Sequence, residues 1–446
     1  MTTTDAAPAT RKRLGWIVAG SLLGGLLAAV VLVAVPAIAS EPSELTGAVL
    51  CGFAIGWALL AVLSARLTDQ PQRWAWVPAM ILGLGGLVLM VFGQRADDVL
   101  SWVWPPVVLV LAVWMVVRIR RDLRSRAGRW LLYPVVAGLM VASVLGGVET
   151  VQAATATEYA MPGKLIDAGG HRLHLLCTGS GSPTVVLEPG AGLMSSTMGW
   201  IAPAVAGTTR VCVYDRAGRG WSEPADTVQD GAQIVTDLHT LLRGADVDGP
   251  YVVAGHSFGG LYALAFAARF PDEVAGMVLI DSTAPASEPD PTPSATDPDA
   301  YDPMGRLSAL LSSTARFGIP RFVATLDYGT LPPRSRDEAR ASGATAESLR
   351  STIDEYAHAG ASGRAAAALT SFDGKPLVVL TAGEGRARGW MAKQDELARL
   401  SDDSEHEVIE GAAHADFLLD ERAAAATSAA ILDVVAAVRS GQRLAN

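Results

Sequence analysis

Five uncharged apolar runs, Leu14–Ala39, Leu45–Ala65, Trp74–Gly93, Val99–Val117 and Trp130–Val148, succeed one another in the first third of this 446-residue chain. Each is close to the roughly 20 residues that a helix needs to cross the hydrocarbon of a bilayer. None shows the one-sided apolar stripe of a helix lying on a soluble core. The pattern predicts five membrane-spanning helices over residues 1–150. Intramembrane charges, the usual mark of a transport path, are missing from all five runs, which therefore read as an anchor or a sensor. The first run also has the basic start and the small-residue Ala37-Ile38-Ala39 ending of a signal peptide. Its apolar core exceeds the usual length of about 7–15 residues, which favours a retained span.

Cationic residues fix the expected orientation. Arg11, Lys12 and Arg13 precede the first run, Arg66 and Arg73 separate the second and third, and Arg118, Arg120, Arg121, Arg124, Arg126 and Arg129 crowd the fourth connection. Such segments stay cytoplasmic. The other connections, Ser40–Glu44 and Gln94–Asp98, contain only Arg95, and no cation follows the fifth run until Lys164. The N-terminus is thus expected in the cytoplasm and everything after about Thr150 outside the cell membrane. Residues 1–150 hold 12 Lys+Arg and 8 Asp+Glu, which leaves 23 of 35 and 37 of 45, a net of −14, for the remainder. An acidic outer part is a poor binder of nucleic acid.

A linker over 151–166 leads into a different pattern from residue 167 to 446. Strands are expected at His171–Cys177, Thr184–Glu188, Arg210–Tyr214, Tyr251–Ala254, Gly276–Ile280, Pro376–Thr381 and Glu405–Ile409. Helices are expected at Val228–Leu242, Leu261–Phe270, Met391–Leu400 and Glu421–Val438. This alternation predicts an α/β domain with a mostly parallel sheet covered by helices on both faces. The alternation stops over about 283–375, where a Pro/Asp-rich loop, Ser287–Pro303, precedes helical stretches near Met304–Ala315 and Thr345–Ala368. An insertion of that size beyond a strand's carboxyl end reads as a helical cap.

Within this domain the apolar run Tyr251–Ala254 feeds Gly255-His256-Ser257-Phe258-Gly259, which opens directly into an apolar helix. A strand–Gly-x-Ser-x-Gly–helix junction is the pattern of a nucleophile elbow, with the serine exposed at the carboxyl edge of a sheet.

Taken with Tyr214-Asp215-Arg216-Ala217-Gly218-Arg219-Gly220-Trp221-Ser222, the Thr184–Gly192 strand and loop, the cap and a late Gly411-Ala412-Ala413-His414, this junction resembles the α/β-hydrolase superfamily, serine hydrolase branch. The resemblance implies a nucleophile, a base and an acid in the order Ser…Asp/Glu…His. Ser257 is the expected nucleophile. Of the seven histidines, His414 alone follows a strand through small residues and precedes a helix, where this fold presents its base. Two acids compete: Asp281, which ends the strand Gly276–Ile280, is preferred, and Glu384, just past Pro376–Thr381, is the alternative. The oxyanion hole is expected from the backbone N–H groups of Phe258 and Ala191.

Other features fit around that set. His171 and His174, three apart on a strand, would point to opposite faces, so no metal site is expected, and no cofactor. Asp215, Arg216 and Arg219 read first as a fold-stabilising loop and second as substrate contacts. Cys177 and Cys212 would lie on neighbouring strands of this fold and could pair as a disulfide. The expected activity is hydrolysis of a carboxylic ester, small or lipid-like, beside the bilayer. The alternatives are a peptidase or acyltransferase on the same triad, or an inactive ligand-sensing membrane protein.

Overall fold

The computed structural model describes residues 7–39, 41–155, 159–285 and 303–444. The side chains of Arg11, Lys12 and Arg13, residues 156–158 of the expected linker and residues 287–302 of the expected Pro/Asp-rich loop lie outside the described residues. The chain divides into two compact units, one of Met1–Thr157 with Asp299–Ile319 and one of Glu158–Pro298 with Pro320–Asn446.

The first unit contains α1 (Ala7–Val33), α2 (Pro42–Leu67), α3 (Trp76–Phe92), α4 (Gln94–Asp122) and α5 (Arg126–Thr155). All five are long and apolar enough to cross a membrane. Their bounds differ from expectation for local reasons. α1 stops at Val33, ahead of Pro36, because proline cannot continue a helix. The polar Gln94–Asp98, expected as a connection, is instead the first turn of α4, and Gly93 at φ 53° makes the whole break from α3. α5 runs past the charged Glu149 to Thr155. α1 and α2 touch through glycine: a Cβ on Gly56 would lie 2.9 Å from Gly25 Cα. Small residues let apolar helices approach in this way without any gain from excluding water.

The two basic connections share one end of this bundle, where Gln72 Nε2 reaches Asp122 O at 3.4 Å and Arg124 N donates to Gln70 Oε1 at 3.3 Å. At the other end lies a segment from the middle of the chain, with α9 (Pro303–Ser312) and a turn of 3-10 helix to Phe317. Arg306 donates to Val33 O at 2.7 Å and to Ile38 O at 2.6 Å, Ser313 to Pro42 O at 3.2 Å, and Arg316 pairs with Asp97 at 2.8 Å. Ala309 packs with Ile38, Leu45 and Ala48. The expectation that all of 283–375 caps the hydrolase-like domain is therefore corrected: the segment to Ile319 belongs to the first unit, where Ala309 and the partly buried Leu310 pack.

The second unit runs β1 (Lys164–Asp167), β2 (Arg172–Thr178), β3 (Thr184–Glu188), α6 (Ile201–Ala206), β4 (Val211–Tyr214), α7 (Gly231–Gly244), β5 (Tyr251–His256), α8 (Phe258–Arg269) and β6 (Val274–Ile280). After α9 (Pro303–Ser312) come α10 (Ile319–Leu326), α11 (Pro333–Gly343), α12 (Ala346–Ala357), α13 (Ala359–Ala367), β7 (Leu377–Ala382), α14 (Trp390–Ala398), β8 (Ser404–Ile409), α15 (Asp416–Leu419) and α16 (Glu421–Ser440). The sheet order is β1-β2-β4-β3-β5-β6-β7-β8. Pairing is parallel from β4 to β8 and antiparallel at β1–β2 and β2–β4. Four-residue β1, exposed at Lys164 and Asp167, begins inside the stretch expected to be linker; its pairing with β2 gives it order that its sequence alone does not.

Period-two alternation sorts the buried strands between two cores. Tyr251, Val253, Met277, Leu279, Leu377 and Val379 face α7 and α8, while Val252, Ala254, Val278, Ile280, Val378 and Leu380 face α6, α15 and α16. Both faces are covered, so these strands read as continuous apolar runs. Each such side chain withdrawn from water is worth roughly 1.5–3 kcal/mol. α16 also has the length and composition of a membrane span, but Ile431, Val434 and Val435 are buried in the second core. Cys177 stands opposite Cys212 in the β2–β4 register, and the two are disulfide-bonded with Cα atoms 4.1 Å apart.

Candidate active site

The order β4-β3-β5 means that the chain passes to one side of β3 and then returns to the other, so connections leave the carboxyl ends of β3 and β5 in opposite directions. Open parallel sheets bind ligands in the crevice at such a switch point. Here the register levels the strand ends: Glu188 stands opposite Gly255, and His256 opposite Ile280. Residues immediately after β3, β5 and β6 are therefore neighbours, and these are Pro189–Gly192, Ser257 and Asp281.

Ser257 makes the turn from β5 into α8 at φ 54° and ψ −121°. A non-glycine residue in such a region costs about 1–3 kcal/mol and persists only where its surroundings over-determine it. Its N–H donates to Ile280 O at 3.1 Å, and its carbonyl accepts from Gly260 N and Thr283 N at 3.0 Å each. A Cβ on Gly255 would lie 2.3 Å from Gly259 O, and one on Gly259 2.2 Å from Glu188 O. The two glycines flanking the serine are thus demanded by space.

Asp281, just after β6, and His414, in the loop after β8, come together with Nδ1 2.5 Å from Oδ2. The other carboxylate oxygen, Oδ1, accepts from Trp390 Nε1 at 2.7 Å and Ala382 N at 3.1 Å. Burial would raise the Asp281 pKa, but the hydrogen bonds from His414, Trp390 and Ala382 outweigh it and hold the carboxyl below its ordinary value. The Asp281 side chain is 4% exposed and that of His414 48%, so the carboxylate is shielded while the imidazole opens to solvent. Glu384 lies exposed on the loop after β7 and joins the fold through its backbone N–H, which donates to Ala412 O at 3.0 Å. Of the two acids read from the sequence, Asp281 is the one brought to His414.

His256, the residue before Ser257, donates from Nε2 to His414 O at 2.9 Å, and the two rings lie 4.6 Å apart. A carbonyl can only accept, so the proton is on Nε2 and the buried Nδ1 is left without a partner among the described residues. Burial, helped by the nearby His414, lowers the His256 pKa to about 4. This ring is neutral at pH 7 and ties the His414 backbone to the serine turn.

The loop after β3 is held by charges that the sequence left ambiguous. Arg216 donates from Nη1 to Pro189 O at 2.9 Å and from Nη2 to Gly190 O at 2.7 Å. Glu355 of α12 takes Arg216 Nε at 2.5 Å on one oxygen, and Arg219 Nη2 and Gly192 N at 2.9 Å each on the other. Ala191 is the residue between these fixed groups, and a Cβ on Gly190 would lie 3.1 Å from Ser257 Cβ. Phe258 is the first residue of α8, so its N–H has no partner within the helix. Burial alone would raise Glu355, but Arg216 and Arg219 hold it below its usual value. Glu188, also buried, is pushed up to about 7 despite Arg216 at 3.5 Å. Asp215 serves the fold: it accepts from Ser195 N at 2.6 Å, Trp221 N at 3.1 Å and His174 Nδ1 at 2.8 Å. His171, which just precedes β2, lies 3.3 Å from Asp237 instead. Sequence reasoning missed Trp390 and Glu355, which carry no local signal because each acts only once distant segments close on it.

A parallel sheet with a strained serine at its switch point and a His–Asp pair beside it defines an α/β-hydrolase architecture. The profile of the alpha/beta hydrolase fold matches residues 183–421, more than half of the chain, and the chain belongs to that family. It is similar to an uncharacterized protein of Schizosaccharomyces pombe, 36% identical over 140 residues that make 25% of this chain and 26% of the relative. It is also similar to the 2-hydroxy-6-oxo-2,4-heptadienoate hydrolase of Pseudomonas putida, 30% identical over 129 residues, 28% of this chain and 46% of that one. The chain thus matches less than half the length of these curated relatives. Among solved structures, the chain is similar to a thermophilic esterase from Thermogutta terrifontis, with 23% identity, a TM-score of 0.46, and coverage of 59% of this chain and 94% of that one.

Proposed function

We propose that the protein is a membrane-anchored serine hydrolase that cleaves a carboxylic ester. Ser257 Oγ attacks the carbonyl carbon while His414 takes its proton, and Asp281 fixes the imidazole tautomer and stabilises the imidazolium. The N–H groups of Phe258 and Ala191 stabilise the oxyanion, each worth roughly 3–4 kcal/mol. Collapse expels the alkoxide, which leaves as the alcohol with the proton from His414. Water, deprotonated by His414, then releases the acid from Ser257. The observation that carries this reading is the 2.5 Å pair of His414 Nδ1 with a buried, ionised Asp281 beside the strained Ser257 turn.

The helices α1–α5 are assigned to the cell membrane, with the N-terminus in the cytoplasm and the hydrolase-fold unit outside. The basic connections at one end of the bundle support this orientation, and so does the Cys177–Cys212 disulfide, since such bonds persist in oxidising compartments. A tethered enzyme of this kind suits lipid-like esters. Fluorophosphonate labelling of the solubilised full chain tests the reading: covalent labelling lost in Ser257→Ala supports it, and an unlabelled, folded wild type would favour a ligand sensor.

A further inference from the structure

The 24 residues between Asp302 and Asp327 contain three arginines and no acidic residue, in an outer region whose net charge is otherwise strongly negative. Within that stretch, α10 carries Ile319, Phe322, Val323 and Leu326 at 49%, 66%, 56% and 76% exposure. The spacing i, i+3, i+4, i+7 puts them on one helix face. The opposite face is already used: Pro320 and Ala324 are buried, Ala324 with Met194, Tyr328, Leu331 and Ala339. Leu307 and Leu311, one turn apart on α9, are 47% and 45% exposed. Clustered apolar side chains left exposed on one helix face mark an interaction site rather than ordinary surface.

We propose that this stretch is a membrane-surface element, with the stripe of α10 and the exposed leucines of α9 embedded in the headgroup–acyl boundary of the bilayer that holds α1–α5. Two observations choose lipid over another occupant. The residues leading into α10 are fastened to helix ends, at the carbonyls of Val33, Ile38 and Pro42 and at Asp97, and the ends of membrane helices lie at the bilayer surface. Ile319, the first residue of α10, belongs to that same unit, so the stripe starts where the bilayer surface is. The lack of acidic side chains removes the groups that an interfacial helix in a membrane must avoid. The proposal rests on the reading of α1–α5 as membrane spans, and the test separates the two.

The full chain carrying Cys51→Ala is reconstituted without reductant into vesicles of phosphatidylcholine and phosphatidylglycerol. Single cysteines at Phe322→Cys or Leu326→Cys are labelled with an NBD fluorophore. Val110→Cys, outward on α4, serves as the span reference and Asp402→Cys as the water reference. The expected result is quenching of the α10 labels by shallow nitroxide lipids and protection from aqueous iodide, with Asp402 showing the reverse and Val110 quenched by deep nitroxides. Iodide quenching of α10 as strong as at Asp402 overturns the proposal. Protection from both quenchers also overturns it, because the stripe is then covered by protein, such as a second copy of the chain. Failure of Val110 to respond to lipid quenchers removes the spans themselves and the proposal with them.

Discussion

Trp390 donates its indole N–H to Asp281 at 2.7 Å, on the carboxylate oxygen that His414 leaves free. The carboxylate is thereby gripped on both oxygens, and it cannot rotate away from the imidazole without losing the bond from the indole. Trp390 is a positioning residue for the pair.

Replacing it by phenylalanine keeps the ring and deletes the donor. A hydrogen bond to a charged group is worth about 1.5–3 kcal/mol, so fluorophosphonate labelling by Trp390→Phe should slow by about tenfold or more. The Asp281 pKa rises when a donor is lost, so the acid limb of the pH–rate profile should move to higher pH. An unchanged profile would reduce Trp390 to packing.

Asp281→Asn removes the ionised partner and should reduce the rate by about 10⁴ if it acts as triad acids do. Glu384→Gln, at an exposed loop position, should leave it within a factor of about two, as surface substitutions do. Equal losses in the two variants would contradict the assignment of Asp281.

The Glu355 carboxylate pairs with two buried arginines, Arg216 and Arg219. Breaking such a cluster by removing one partner costs about 3–5 kcal/mol, because the remaining charge stays buried. Glu355→Gln should lower the thermal midpoint clearly and, by freeing Gly192 N–H and Arg216, lower kcat more than it raises KM. A variant of wild-type stability would contradict the buried clamp.

His256 titrates near 4 in the folded protein and near 6.5 when unfolded. Above pH 6.5 both states are neutral. As pH falls from 6.5 to 4, the unfolded state gains a proton that the folded state refuses, and stability drops by an amount on the order of 3 kcal/mol, then levels off. His256→Gln should flatten that part of the stability–pH curve, measured by thermal unfolding at fixed ionic strength.

Thiol titration of the denatured chain should find one reactive cysteine, Cys51, without reductant and three after reduction. Three at the outset would mean that Cys177 and Cys212 are free.

How much of this was legible in the sequence depends on how local the cause is. The serine turn could be read because Gly255 and Gly259 answer a steric demand made within five residues, and the inner strands because burial on both faces makes them continuous apolar runs. The acid could be ranked, Asp281 ahead of Glu384, but no further, since each follows a strand and only the β6–β7 register and the placement of His414 separate them. Glu355 and Trp390 depend on closure over long stretches of chain. The Gln94–Asp98 helix start and the docking of α9 show the same limit: a polar composition suggested a connection, and an insertion suggested a cap, where contacts made elsewhere decided otherwise.

The return of Asp299–Ile319 to the first unit bears on how the hydrolase-fold half can be produced. A shortened chain beginning at Tyr159 would still carry Arg306 without the carbonyls of Val33 and Ile38, and Ala309 without Leu45 and Ala48. Such a fragment would be sticky in solution. A soluble version needs two excisions, the leading helices and the excursion through α9, with a short flexible bridge closing the second gap.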